Sequence, residues 1–171
     1  MFENRHVNTT ILAAAVLAAS AGAGIRATGP QSAAAKSALP PLDACTLLTK
    51  QDAAAALGET VEQKPIRPGG SMPGVDVAAC DYEAPSRSHI QVTVWRPFGD
   101  SVAMFMQMYK SECMKKEPAP GLGDLGCWYN KDHHELQMIK GANIMTFEIR
   151  RSGNTSDALM TVAKKALPRL P

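Results

Sequence analysis

The chain has 171 residues, of which 45% are hydrophobic and 20% are charged. This length suits one domain, and the composition is that of an ordinary globular protein with enough apolar material for a core. The net charge at pH 7 is only +2, so neither nucleic acid nor an anionic membrane is favoured as a partner.

The start of the chain, residues 1–23, has the pattern of a secretory signal peptide. Its apolar run over residues 11–19 is shorter than the roughly 20 residues that span a bilayer. Small residues at Ala-x-Ala spacing follow and favour cleavage after Ala21 or Ala23. The sequence therefore predicts export to the periplasm or the extracellular space, with no transmembrane segment after cleavage. An uncleaved membrane anchor is the alternative.

Residues 24–41 are rich in alanine, serine, glycine and proline. Such a composition cannot bury enough apolar surface to order itself, so we expect a disordered tether. A single folded domain is expected over residues 42–171.

Within this domain the hydrophobic pattern alternates between helical and extended periods. Consecutive alanines favour a first helix, with Thr49 and Asp52 as a capping pair and Gly58 as its stop. The strand over residues 88–95 is the clearest, because its hydrophobic and polar residues alternate. The predicted elements are a helix at 44–57, strands at 60–66, 77–83 and 88–95, a helix at 100–113, strands at 125–130, 134–140 and 143–150, and a helix from 154.

This order predicts an α+β fold. Short connections between consecutive strands favour antiparallel pairing, which gives an antiparallel sheet of five to six strands with helices on one face. The succession of helix and three strands, twice over, fits a duplicated α-β-β-β plan. The second face of the sheet, or the glycine- and proline-rich loop over residues 65–74, would then carry the function.

Four cysteines follow the predicted cleavage site, namely Cys45, Cys80, Cys113 and Cys127. An even number in an exported chain favours disulfides, and the lack of any Cys-x-x-Cys pair argues against a zinc site. Three pairings are open. Cys45–Cys80 with Cys113–Cys127 is favoured, because each bond would join a helix end to a nearby strand.

The polar side of the strand at 88–95 is the first candidate binding surface. It carries Trp95, His89 and Gln91, and an exposed aromatic residue among polar ones often marks a contact with a ligand. Burial of Trp95 under a second layer is the alternative. On the helix at 100–113, Met104 and Met108 lie opposite the core stripe, and methionine adapts well to irregular partner surfaces.

The same methionines suggest a metal site as the alternative. Met104 and Met108, with His133 and His134 at a predicted hairpin turn, would supply the soft thioether and imidazole ligands that copper prefers. A solvated hairpin tip is the competing interpretation, since adjacent histidines point to opposite sides of a strand. No cofactor is expected: the glycines of residues 121–126 lack the preceding strand and following helix of a dinucleotide site.

Several short motifs resemble a known group of proteins. The segment LDACTLLT at 42–49 leads into an alanine-rich helix that ends at Leu57-Gly58, and it is followed by CDY at 80–82, GLGD at 121–124 and a terminal Ala-x-x-Ala-Leu helix. These motifs resemble small uncharacterised bacterial envelope proteins, including actinobacterial lipoproteins of unknown function. The resemblance implies an extracytoplasmic α+β domain with its first two cysteines paired, and it implies no activity. The chain lacks a lipobox cysteine, so lipid anchoring is not expected.

The leading functional prediction is an exported, non-enzymatic binding module of the bacterial periplasm or cell envelope, for a protein or small-molecule ligand. Periplasmic copper binding is the alternative, and an enzyme without a recognisable motif is the third hypothesis. Asp81 and Glu83 share one strand face, but we interpret them as an ordinary exposed pair.

Overall fold

Seven antiparallel strands form one sheet in the computed structural model of the protein, which describes residues 39–66 and 72–170. The α+β class is confirmed, and the sheet has seven strands where the sequence predicts five to six. The predicted signal peptide, residues 1–23, and the predicted tether, residues 24–41, lie outside the described residues except for positions 39–41.

The sheet joins two groups of consecutive strands side by side. Its order is β1-β2-β3-β7-β6-β5-β4, so that β3 and β7 meet at the centre. The strands are β1 Glu62–Ile66, β2 Val75–Glu83, β3 His89–Pro97, β4 Glu117–Pro118, β5 Leu125–Trp128, β6 Glu135–Lys140 and β7 Asn143–Arg150. The helices are α1 Lys50–Leu57, α2 Ser101–Cys113 and α3 Ser156–Ala166, with short 3-10 helices at Ala44–Thr46 and Leu167–Arg169.

The start of α1 confirms the predicted capping pair. The backbone N–H of Asp52 donates to the Thr49 hydroxyl at 3.1 Å, and the Thr49 N–H donates back to the Asp52 carboxylate at 3.4 Å. The predicted helix over 44–57 is nevertheless interrupted, because Thr49 is extended as its role as N-cap requires. Gly58 ends the helix in the left-handed conformation, with φ 80°.

Helices α1 and α3 cover one face of the sheet and form the main core with it. One row of this core crosses four neighbouring strands and is fully buried: Cys80, Val92, Phe147 and Leu136. Helix α3 covers this face with the buried stripe that its periodicity predicts: Leu159, Val162, Ala163 and Ala166.

Helix α2 lies against the opposite face. Trp128 belongs to the core beneath α1 and α3, so its neighbour Cys127 points to the other side of the sheet. The disulfide from Cys113 at the end of α2 to Cys127 therefore ties α2 to that side. Ile139 and Ile144, paired on β6 and β7, are fully buried there. The expectation of helices on one face thus holds for α1 and α3, while α2 forms a second layer.

Both disulfides have the favoured pairing, Cys45–Cys80 and Cys113–Cys127. The first fastens the 3-10 helix before α1 to β2, and the second fastens α2 to β5. Within residues 39–66 and 72–170, no helix combines the length and the apolar character that crossing a bilayer would require.

Candidate functional site

Helix α2 divides the face on which it lies into two halves. Alternate residues of each strand point to this face, and paired strands align them in rows across the sheet. The covered half is the part of this face that lies beneath α2. It includes two rows of residues. The first is Trp95, Ile144, Ile139 and Leu125, and the second is Thr93, Thr146, Gln137 and Cys127. The open half consists of the next two rows: Lys64, Asp81, Gln91, Glu148 and Glu135, then Glu62, Glu83, His89 and Arg150.

Every residue of the open half keeps part of its surface in contact with solvent. The five residues of its first row come from β1, β2, β3, β7 and β6 in turn. With neighbouring strands about 4.8 Å apart, this row is about 19 Å wide. The open half is therefore a broad polar surface on a rigid sheet.

The structure separates the residues that the sequence groups together on β3. His89 and Gln91 lie in the open half, whereas Trp95 lies in the covered half, where it is only partly exposed. Met104 and Met108 are 63% and 47% exposed on the outer side of α2. The candidate surface on β3 is thus smaller than the sequence predicts, and it lacks its aromatic residue.

The candidate loop over residues 65–74 is described only at its two ends. Pro65 and Ile66 belong to β1, which lies at the edge of the sheet. Met72 forms an isolated bridge with Val75, and Gly74 turns the chain into β2 with φ 77°. Residues 67–71 lie outside the described part of the chain.

Two pairs of glutamates stand directly opposite each other in the open half, Glu62 with Glu83 and Glu135 with Glu148. Like charges directly opposite on neighbouring strands are destabilising. Lys64 bridges the first pair, with its ammonium 3.1 Å from Glu83 and 3.3 Å from Glu62.

In the second pair only one of the two carboxylates has a salt bridge. The Nε of Arg150 lies 2.7 Å from the Glu148 carboxylate, but the Glu135 carboxylate has no hydrogen bond or ion pair with any described residue. Partial burial raises the pKa of Glu135, and the negative charge of Glu148 raises it further. The charges of His134 and Lys116 oppose this rise, but neither side chain forms a hydrogen bond or an ion pair with the Glu135 carboxylate.

Asp81 shows a related deficit at the other end of the same row. Its Oδ1 is buried and has no hydrogen-bond partner in the described part of the chain. Burial raises the pKa of this carboxyl group, and the neighbouring His89 opposes that rise. The adjacent Lys64 bonds to Glu83 and Glu62 instead.

Gln137 lies at the border between the two halves, one step along β6 from Glu135 and on the same face. Only 3% of its surface is exposed, and its Oε1 finds no donor among residues 39–66 and 72–170. Buried side-chain amides are normally hydrogen-bonded. An acceptor thus lies unused beside the unpaired carboxylate.

Shallow hollows flank the open half at both ends. One, of 540 Å³, is lined by residues that include Glu62, Lys64 and Arg87. The other, of 460 Å³, is lined by residues that include His134 and Glu148.

The two histidines of the copper hypothesis each have a partner of their own. The Nε2 of His133 lies 2.9 Å from the Glu117 carboxylate, and its ring stacks on Trp128 with centroids 4.6 Å apart. The Nε2 of His134 lies 2.9 Å from the Asn130 amide. In the described part of the chain, no three histidine, cysteine or acidic side chains are grouped as a metal site requires.

Sequence reasoning passed over Glu135, Glu148 and Gln137, and it set Asp81 aside. A signal for the first pair is present in the sequence. Only two residues separate β6 from β7, and so short a hairpin connection sets which residues face each other. The opposition of Glu135 and Glu148 could therefore have been found.

A scan against protein-family models and searches of curated proteins and solved structures found no match. The resemblance to bacterial envelope proteins stays a prediction. The fold and the surface define the chain as a disulfide-bonded α+β protein whose sheet has one covered face and one half-covered face.

Proposed function

We propose that this protein is an exported, non-enzymatic binding module of the bacterial periplasm or cell envelope, and that it binds a partner protein through the open half. The observation that carries the proposal is the open half itself, a rigid surface drawn from five strands. Within it, the Oδ1 of Asp81 is buried without a hydrogen bond to a described residue, and the Glu135 carboxylate forms no hydrogen bond or salt bridge in the described part of the chain.

The shape of the surface supports a protein partner over a small molecule. Pockets for small ligands are concave and enclose most of the ligand. The open half is instead a row about 19 Å wide, with shallow hollows beyond its ends. A surface of this kind suits an extended segment or the face of another domain.

Export is supported by two independent features. The pattern of residues 1–23 is that of a signal peptide. All four cysteines are paired as disulfides, which persist mainly in oxidising compartments such as the periplasm. N-terminal sequencing of the mature protein should begin at Gly22 or Gly24; an intact Met1 in the cytosolic fraction would contradict export.

Binding through the open half is tested by photo-crosslinking in cells that produce the full chain. We place a photoreactive amino acid at Gln91 in the open half, and as a control at Lys164, which is exposed on α3. The expected result is an adduct of defined mass from position 91 that disappears when Glu148→Lys is added. Equal adducts from both positions, or none from position 91, would overturn the proposal.

Copper handling is the second candidate. It is favoured by one observation: Met104 and Met108 expose their thioethers one turn apart on α2. Titration of the oxidised protein with Cu(I) against a chromophoric competitor tests it. Stoichiometric binding that is lost in Met104→Leu/Met108→Leu would support copper handling, and equal affinity of the variant and the parent would exclude these two ligands.

A further inference from the structure

The open half and its border hold several hydrogen-bond acceptors without matching donors. Glu135 has no hydrogen bond or salt bridge to a described residue, and the Oδ1 of Asp81 and the Oε1 of Gln137 are buried without hydrogen bonds to described residues. Buried polar atoms of this kind cost stability unless something satisfies them. What is lacking at each position is the same, a hydrogen-bond donor.

The net charge of the open half also favours a positively charged partner. Its two rows hold five carboxylates and two permanent cations, Lys64 and Arg150, which leaves a formal charge of −3 with His89 neutral. The whole chain carries +2. The open half is therefore opposite in sign to the molecule that bears it, and complementary charge is how protein surfaces select and orient partners.

We propose that the open half binds a basic segment of the partner protein, and that an arginine side chain of this segment lies between Glu135 and Glu148 and within reach of Gln137. This inference rests on the proposed function and names the chemistry of the partner.

The geometry of the glutamate pair suits a guanidinium group. Glu135 and Glu148 stand directly opposite each other on β6 and β7, with Cβ atoms about 5 Å apart. Arg150 occupies one oxygen of Glu148 and leaves Glu135 free to accept. A guanidinium presents five N–H donors in a planar fork, so it can serve a carboxylate and a nearby amide oxygen together.

Other cations fit this surface less well. A metal ion needs several ligands that converge on one point, and the described residues hold no such group of three histidine, cysteine or acidic side chains. A lysine ammonium offers three donors around one atom, whereas the free acceptors of Glu135 and Gln137 lie a full two-residue step apart on β6. The wider fork of arginine bridges such a distance better.

The test uses the mature full-length protein and two blocked synthetic peptides of equal length, hexa-arginine and hexa-lysine. Affinities are measured by fluorescence anisotropy in 150 mM salt. We expect the arginine peptide to bind more tightly than the lysine peptide. Glu135→Gln should weaken the arginine peptide about tenfold or more, because a hydrogen bond to a charged group is lost.

The matched control is Glu112→Gln. It removes the same charge from the exposed side of α2, where Glu112 pairs with Lys115 at 2.8 Å. The control should leave the affinity unchanged; Glu135→Gln should melt at or above the temperature of the parent, and Glu112→Gln should stay folded with at most a slightly lower melting temperature. Equal weakening by the two variants, or equal affinity for the two peptides, would overturn the proposal.

Failure of this inference can be told apart from failure of the proposed function. A partner adduct from position 91 without a preference for the arginine peptide means that the open half binds a partner of other chemistry. If there is neither an adduct from position 91 nor a preference for the arginine peptide, the binding-module proposal is wrong as well. If Glu135→Gln proves unstable, Asp81→Asn in the same row provides the second neutralising variant.

Discussion

Strand β3 belongs to two regions that follow opposite physical rules. Ile90, Val92 and Val94 face α1 and α3 and are completely buried, while His89 and Gln91 face the open half and stay partly exposed. The buried side is packed to exclude water and gains stability from every methyl group. The open half keeps like charges opposed and acceptors unpaired, so it lowers the stability that the buried side provides.

Neighbours on β2 show the same contrast in polar groups. The Tyr82 hydroxyl is fully buried but donates to the backbone carbonyl of Leu48. Asp81, the preceding residue on the strand, faces the open half with a buried oxygen that has no donor among the described residues. Burial raises the pKa of both groups. On this strand the polar group that faces the core is satisfied, and the carboxylate oxygen that faces the open half is not.

The largest expected effect is on the free energy of unfolding, and it differs between the two sides of the sheet. Phe147→Ala removes a fully buried ring at the centre of the core and should lower the free energy of unfolding by about 3–5 kcal/mol. Gln91→Ala in the open half should change it by less than about 0.5 kcal/mol. Urea denaturation of both variants checks this contrast, which would fail if the two changes had similar costs.

Loss of a disulfide should have the second-largest effect on stability, since each disulfide fastens a helix to one face of the sheet. In the loop-entropy picture, removing Cys45–Cys80, with a separation of 35 residues, should cost about 4 kcal/mol, and removing Cys113–Cys127, with 14, about 3 kcal/mol. The second removal should also raise hydrogen exchange at Ile139 and Ile144 beneath α2. Unchanged exchange there would show that α2 is held to the covered half by packing alone.

A smaller effect is expected from Tyr82→Phe, which leaves the Leu48 carbonyl without its donor and should cost about 1–2 kcal/mol. Burial raises the pKa of Tyr82 to about 12 from its ordinary value of 10. The unfolded chain therefore releases this proton first, and stability falls as the pH rises above about 10. Denaturation at pH 8 and pH 11 should show a shallower decline in the variant than in the parent. An identical decline would contradict the assignment.

The smallest expected effect has the opposite sign. Glu135→Gln relieves the opposition to Glu148 and should raise the free energy of unfolding at pH 7 by about 0.2–1 kcal/mol. The folded-state pKa of Glu135 is raised. The ionised Glu135 therefore lowers the free energy of unfolding only as the pH rises above the ordinary pKa of glutamate. The gain should therefore vanish at pH 3. A loss of stability at pH 7 would show that Glu135 supports the fold, and the contrast between the two sides of the sheet would be wrong.

The parts of the fold that depend on local patterns are predictable from the sequence. The predicted strand at 143–150 coincides with β7, because its alternation is complete and a tight turn precedes it. The cap of α1 at Thr49 and Asp52 follows from two side chains at fixed spacing. β4, with two residues, is too short to show any period.

The candidate site is predictable only in part. His89 and Gln91 are found as the polar side of a strand, and Glu135 with Glu148 could be found from a two-residue hairpin connection. The union of these residues on one surface depends on the pairing of β3 with β7. That pairing joins segments about fifty residues apart, and such contacts leave no local signal.

The amino-acid sequence by itself determined the helices, nearly all the strands and the alternation of their faces, because each depends on side chains a few residues apart. It left three cysteine pairings open and favoured one of them. Tertiary structure alone decided that α2 crosses to the second face and stops short of its far half. It therefore also decided that Trp95 lies in the covered half while Glu135 stays open. The physical reason is that the place where a helix settles depends on apolar area gathered from distant strands, which no stretch of the sequence contains on its own.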